Sequence, residues 1–549
     1  MTNQAEQSAG NEPSRSITEP GAAGPRHAGF GPRPTIALAV GLFVLAMWPL
    51  AVFVHLGTQD YPNHLARAHV LTHLDDPIFA AHFRSAWSLV PNLAFDVFMV
   101  AVAGLMDVWN AGRLFVAVSA ALTVAGVMML AKVLRGSIGV PQLLAIPLLF
   151  TTGFAKGFLA FDFAMGLMLV AAAAWEAIGD ERRGLRLFVG SVFSVLLYLS
   201  HLAGFGAYGL WVIGARLRDL GALRRPGALR RRLIDALWDG VQILPVVVLF
   251  AIERATVTEV AVTETRARGF QAPWNRLGQI ERLQDLGPMW LDVSLLGVLI
   301  GLLLFALITG RIKVDRRVLP AVGAALVLFF AMPNSFGGVH IAAWRPLLAA
   351  ALFFTAGLIP TATFDRTTAI AVTAIFAVAV TVASATTALS WSATERAYAD
   401  LSRVLEGVPP GSRIFYIQTH STLDERGRRA RSGLYHLASY ATIDRRLIVQ
   451  SAFVMPGQQP LRFRDPVLQT APESSRTFLH EIRRNFAKYD ADIALYFRHL
   501  DHVVSVGDVD PRRLDPMPDR DMIPVAQAGE FRLFELRHAA EPSPTAPTP

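Results

Sequence analysis

A carboxylate, an imidazole and a guanidinium follow the first long apolar run, at Asp60, His64 and Arg67 of the stretch GTQDYPNHLARAH (57–69). A helix beginning near Asp60 sets these three at i, i+4 and i+7, on one face. At a membrane–water boundary such a trio suits an anionic, lipid-linked substrate. Arg67 would hold phosphate oxygens in a forked pair, and Asp60 would act as general base or metal ligand. A plainer reading competes: Asp60 caps the helix, Pro62 occupies its first turn, and His64 and Arg67 face solvent.

Four further positions carry chemistry-bearing groups in apolar surroundings. Asn92 and Asp96 stand four apart where the second apolar run begins, and an acidic group at the lip of such a run is a functional candidate, although a helix-end carboxylate at the interface is its plain counterpart. Asp162 lies a few residues into a span, with Lys156 before it as the expected partner. His201 sits in the middle of a long apolar run, where a lone histidine more often bonds a neighbouring helix than reacts. The stretch from Pro333 to Arg345 holds two glycines that admit a phosphate close to backbone amides, with His340 and Arg345 as positive charge. Its plain counterpart is a connecting turn with interfacial Trp344 and Arg345. The basic run Glu425–Arg431 reads as a solvated loop that touches anionic headgroups at most. The chain has no HExxH, Walker loop or GxSxG, and without cysteine it has no thiol chemistry or disulfide.

The elements that must position these groups are membrane helices. Of 549 residues, 53% are hydrophobic and only 17% charged, with the charges in the tail, in short loops and after residue 391. The net charge of +8 does not indicate nucleic acid, because Arg224, Arg225 and Arg230–Arg232 lie between apolar runs as topology signals. Runs long enough to cross a bilayer occur near 36–56, 89–107, 112–134, 139–155, 157–178, 187–215, 235–252, 288–310, 318–332, 345–361 and 367–390, about eleven in all. Arg15, Arg26 and Arg33 place the N-terminus in the cytoplasm, and an odd number of crossings puts the C-terminal part outside. Lys132, Arg135, Arg182, Arg183 and Arg186 resist that count. A version of the same parity makes 89–107 an interfacial helix and splits 187–215 at His201 into a hairpin, which suits the charges better. The expected organisation is a disordered tail 1–33, a helical membrane bundle 34–390 with outer loop 57–88, an extracytoplasmic α/β domain 391–540, and a disordered tail 541–549. Within the last domain, Arg413–Gln418, Ala491–Phe497 and Phe531–Leu536 read as strands and Arg476–Lys488 as an amphipathic helix.

In layout the chain resembles the GT-C superfamily of membrane glycosyltransferases. The motifs DYPNHLAR (60–67), PNLAFD (91–96) and YLSHL (198–202) are similar to those of uncharacterised bacterial multi-pass proteins built this way. The resemblance implies transfer of a sugar from a polyprenyl-phosphate donor to a glycan, lipid or protein acceptor outside the bacterial inner membrane. It implies that Asp60, at the place of the acidic residue in the first outer loop, is the base or acceptor-orienting carboxylate. The chain carries a single Asp there in place of a paired acidic motif, so no metal ligand set is assigned and a divalent metal stays open. Two other classes compete. A transporter or assembly subunit for surface polysaccharide predicts charges deep within spans, and a surface sensor predicts a binding outer domain with a tolerant first loop.

Overall fold

Long apolar helices with polar caps set the backbone of the bundle. Val108–Arg135 starts where the Asp107 side chain accepts from Asn110 N at 2.9 Å, and ends at Gly136 with Lys132 and Arg135 in its last turn. Leu159–Ile178 packs along it through small residues: a Cβ on Gly166 would sit 2.8 Å from Thr123 N, and one on Gly126 2.7 Å from Leu169 Cβ. Such close approach is how helices associate where no water drives them together. The computed structural model describes residues 32–218, 228–256, 270–334, 341–361, 366–418, 432–455, 457–470, 497–507 and 520–538.

Five described helices are long and apolar enough to cross a membrane, and six if the pair Leu233–Val241 and Leu244–Glu253, bent by 46°, counts as one. Arg33–Met47, Val140–Lys156, Leu202–Leu217, Leu319–Ala331 and Arg345–Gly357 are apolar but shorter. The eleven expected runs are therefore not all full-length straight helices. The run 89–107 forms only Ala94–Val102, nine residues or about 13 Å of helix, against a hydrocarbon core of about 30 Å. The run 139–155 forms two 3₁₀ pieces, Val140–Ala145 and Pro147–Leu149, and a short helix Thr152–Lys156. Pro141 and Pro147 withdraw the amides that a continuous helix needs. Buried Gln142 bonds Gly139 N, Thr355 O and Leu358 O, satisfying backbone groups that lipid would leave bare. The run 187–215 divides into Arg183–Ser200 and Leu202–Leu217 at an extended His201, the break in the hairpin version.

Two ends of the bundle differ in charge. At one, Arg135 donates to Ala356 O and Leu358 O, Arg317 to Leu134 O, and Arg218 to Arg317 O. Arg186 and Arg216 join them there, flanking Trp175 and sharing Asp180 and Asp239. At the other, Leu93 N donates to Leu199 O and Asp60 N to Lys156 O. The charges that resisted a simple count thus gather with 311–317 at one end.

Arg366–Val404, 39 residues, runs the length of the bundle and on past the expected boundary at 390. Beyond it lies a five-stranded mixed sheet. Arg413–Gln418 pairs in parallel with Ile448–Val449 and His502–Val506, and Phe531–His538 and Arg520–Ala528 add antiparallel strands. The expected strands at 413–418 and 531–536 are present. The expected helix 476–488 and strand 491–497 lie outside the described residues, except Phe497, whose ring packs on Phe415 at 4.7 Å. Val70, Phe79 and Phe83 of the first loop share an apolar cluster with the sheet, and Phe83–Ser85 pairs with Leu461–Phe463. Packing of the first loop against this sheet fixes where Asp60 stands.

Candidate active site

Asp60 lies between the first apolar segment and the helix Tyr61–Thr72, and its side chain makes no capping bond. The capping role expected from the plain reading is absent. Its backbone docks instead on the turn after Thr152–Lys156: Gln59 N donates to Ala155 O at 3.3 Å and Asp60 N to Lys156 O at 2.9 Å. Gly157 makes this dock, with φ +72° and room for no Cβ, which would fall 2.9 Å from both Thr58 Oγ1 and Tyr61 N. Lys156 Nζ donates to Gln59 Oε1 at 2.8 Å, and His436 Nε2 lies 3.7 Å from Asp60 Oδ1. The Asp60 carboxyl is only 15% exposed. Burial pushes its pKa from 3.8 up to about 7, against the opposing pull of the Lys156 charge and the Gln59 hydrogen bond.

The loop is clamped from the C-terminal part. Tyr440 donates to Leu56 O at 3.0 Å, Asn63 donates to Ser451 O at 2.8 Å, and Ser439 donates to Asn63. Glu395 accepts Val54 N and His55 N, each at 2.8 Å, and meets His55 Nδ1 at 2.7 Å.

Asp60, His64 and Arg67 do not converge on one substrate face as the spacing suggested. Arg67 is fully buried and gives its fork to Asp96, Nε to Oδ1 at 2.7 Å and Nη2 to Oδ2 at 2.9 Å, with both side chains at 0% exposure. His64 Nδ1 lies 3.0 Å from Arg67 Nη2, and burial together with the Arg67 charge holds His64 well below its usual pKa. This group pins Tyr61–Thr72 to Ala94–Val102. Arg67 Nη1 is buried with no hydrogen-bond partner among the described residues. Asn92 is half-buried at φ 79° and turns the chain into the residue that bonds Leu199 O.

A second cationic group forms around Arg345, at the start of Arg345–Gly357. Its Nη1 meets His201 Nε2 at 2.8 Å, and its guanidinium lies over Phe158 and Phe161, 5.3 and 5.1 Å from the ring centres. His201 Nδ1 accepts from Ala203 N at 3.0 Å and so caps Leu202–Leu217. A neutral imidazole can accept at only one nitrogen. In the tautomer that accepts Ala203 N at Nδ1, Nε2–H and the Arg345 guanidinium stand side by side as donors that an anion's oxygen can share. Asp162 is electrostatically coupled to Arg345 and not, as expected, to Lys156, which faces Asp60. Asp162 also lines a cavity of about 40 Å³ with Thr58, Gly157, Ser119, Thr123 and Trp391.

His340 and the run Glu425–Arg431 fall outside the described residues. Among the described residues no three His, Asp or Glu side chains gather as a metal-binding group. Sequence reading missed His436 and Gln59 as neighbours of Asp60 and gave Lys156 the wrong carboxylate. A lone lysine in an apolar stretch was a signal, but nothing local marks His436.

The fold is a helical membrane bundle with a carboxylate in its first loop and a mixed sheet clamped over that loop. The backbone is similar to the crystal structure of ArnT from Cupriavidus metallidurans bound to undecaprenyl phosphate, with 12% identity, a TM-score of 0.50, and coverage of 91% of this chain and 97% of that one. At that identity the likeness shows the fold. No family model matches the chain, and no curated protein matches it.

Proposed function

We propose that the protein is a multi-pass inner-membrane glycosyltransferase that moves a sugar from a polyprenyl-phosphate donor to an extracytoplasmic glycan, lipid or protein. The arginine-rich end of the bundle faces the cytoplasm together with the N-terminus, and the Asp60 loop and residues 391–540 face outward. The fold likeness to a protein bound to undecaprenyl phosphate supports a lipid-linked donor.

One observation carries the assignment. The stretch 156–162, from Lys156 into the first turn of Leu159–Ile178, presents Lys156 to Asp60 and Phe158, Phe161 and Asp162 to Arg345, so one segment serves both a base and an anion holder. Asp60 takes the proton of the acceptor hydroxyl, and a carboxylate with a pKa about 7 suits that task near neutral pH. The acceptor oxygen bonds the anomeric carbon as its bond to the phosphate oxygen breaks. The phosphate leaves with the electron pair, its charge met by Arg345 and by His201 Nε2–H. Arg67, filled by Asp96, holds the loop in place.

The test uses proteoliposomes supplied with lipid-linked sugars extracted from the native membrane, with released polyprenyl phosphate measured by mass spectrometry. Wild type releases it, and Asp60→Asn and Arg345→Gln each slow release by about 10²-fold or more. Full turnover by Asp60→Asn would end the proposal.

A further inference from the structure

We propose that a slot at the basic end of the bundle binds an anionic phospholipid, one acyl chain lying between the helices and the phosphate resting on Arg311. The slot holds about 300 Å³, at the lower edge of ligand pockets of about 300–1,000 Å³. Its walls come from Val140–Ala145, Met289–Ile308 and the start of Arg366–Val404, and are apolar: Pro141, Leu144, Leu299, Leu303, Val372 and Phe376 among them. Leu299 and Phe376 are buried while Phe305 is 58% exposed, so the slot opens sideways between helices, where a chain can enter from the bilayer.

Its polar rim is cationic. Arg311 bonds Thr368 Oγ1 at 3.1 Å, and no carboxylate among the described residues pairs with it. Lys313 and Arg316 stand exposed on the same turn, whereas Asp315 is engaged by Arg317. An apolar slot under basic side chains that pair with no described carboxylate matches a lipid whose headgroup is negative and whose body is hydrocarbon.

The slot is distinct from the proposed active site. Thr368 at its rim and Trp391 beside the Asp60 loop lie on one helix, 23 residues or about 35 Å apart. That is about one bilayer thickness, so the lipid belongs to the opposite leaflet from Asp60.

Full-length protein would be equilibrated in nanodiscs with equal amounts of phosphatidylglycerol and phosphatidylcholine, released into mild detergent, and read by native mass spectrometry for retained lipid. Wild type keeps phosphatidylglycerol over phosphatidylcholine by about fivefold, the contribution of one basic side chain near a membrane surface. Arg311→Gln brings the two to parity, and Val372→Trp, which fills the slot, removes retention of both. Arg311 is half-buried at the rim, and Arg311→Gln decides the matter if Val372→Trp fails to fold. Equal retention by wild type, an unchanged preference in Arg311→Gln, or displacement of phosphatidylglycerol by equimolar polyprenyl phosphate would each overturn the proposal.

Discussion

Replacing Asp60 by Asn should make the protein more stable while it becomes inactive. Burial raises the Asp60 pKa from 3.8 to about 7, a rise of about three pH units. At 1.36 kcal/mol per unit, holding the carboxylate ionised in the folded protein costs up to about 4 kcal/mol. The sign follows from proton binding. Between about pH 4 and pH 7 the folded chain keeps a proton that the unfolded chain has lost, so wild-type stability falls as pH rises through that window. Above pH 7 the whole cost is present, and Asn escapes it. Near pH 4 both forms carry little charge and the difference closes. Purified wild type and Asp60→Asn would be melted in one mild detergent from pH 4.5 to 9, with tryptophan fluorescence as the readout. The variant should melt several degrees higher at pH 8, with the gap shrinking toward pH 4.5. Equal melting at pH 8, or a destabilised variant, would refute the claim that Asp60 is held ionised against burial, and with it the idea of a strained site kept for function.

Lys156→Gln removes the cation that favours ionised Asp60 and should move the rising limb of the pH–rate profile up by about one pH unit or more. Activity would fall about fivefold at pH 7 and recover by pH 9; an unmoved limb would count against the Lys156–Asp60 coupling. Asp96→Ala leaves the Arg67 guanidinium buried and unpaired, a loss of about 3–5 kcal/mol in melting experiments, and the double change Arg67→Met with Asp96→Leu should recover most of it. Gly157→Ala places a Cβ 2.9 Å from Thr58 Oγ1 and Tyr61 N in a left-handed conformation. It should cost about 1–2 kcal/mol in stability but lower kcat by about 10²-fold, because the Asp60 loop must shift.

Much of the architecture was legible because its signals are local. The strand Arg413–Gln418 was read from its apolar pattern, and the run 112–134 lies within the helix Val108–Arg135, whose caps at Asp107 and Gly136 only the structure shows. The form of each span was not legible, because an apolar run does not say whether its backbone is helical. Pro141, Pro147 and the break at His201 divide runs whose hydropathy is continuous. At the site, spacing singled out Asp60, Arg67 and Asp96 but assigned Arg67 to a phosphate, since its partner lies on another helix. His436 was invisible for the same reason: it reaches Asp60 through the fold of a segment far along the chain. The contact between His201 and Arg345 is a property of three dimensions that no spacing encodes.

The most direct test compares lipid-linked sugars and surface glycans by mass spectrometry in three strains: a deletion of the gene, the deletion carrying wild type, and the deletion carrying Asp60→Asn at matched membrane levels. The account predicts that the deletion and Asp60→Asn lack the same glycan and accumulate the same donor lipid. If Asp60→Asn restores the wild-type glycans while the deletion does not, sugar transfer at Asp60 is wrong and a role in transport or assembly takes its place.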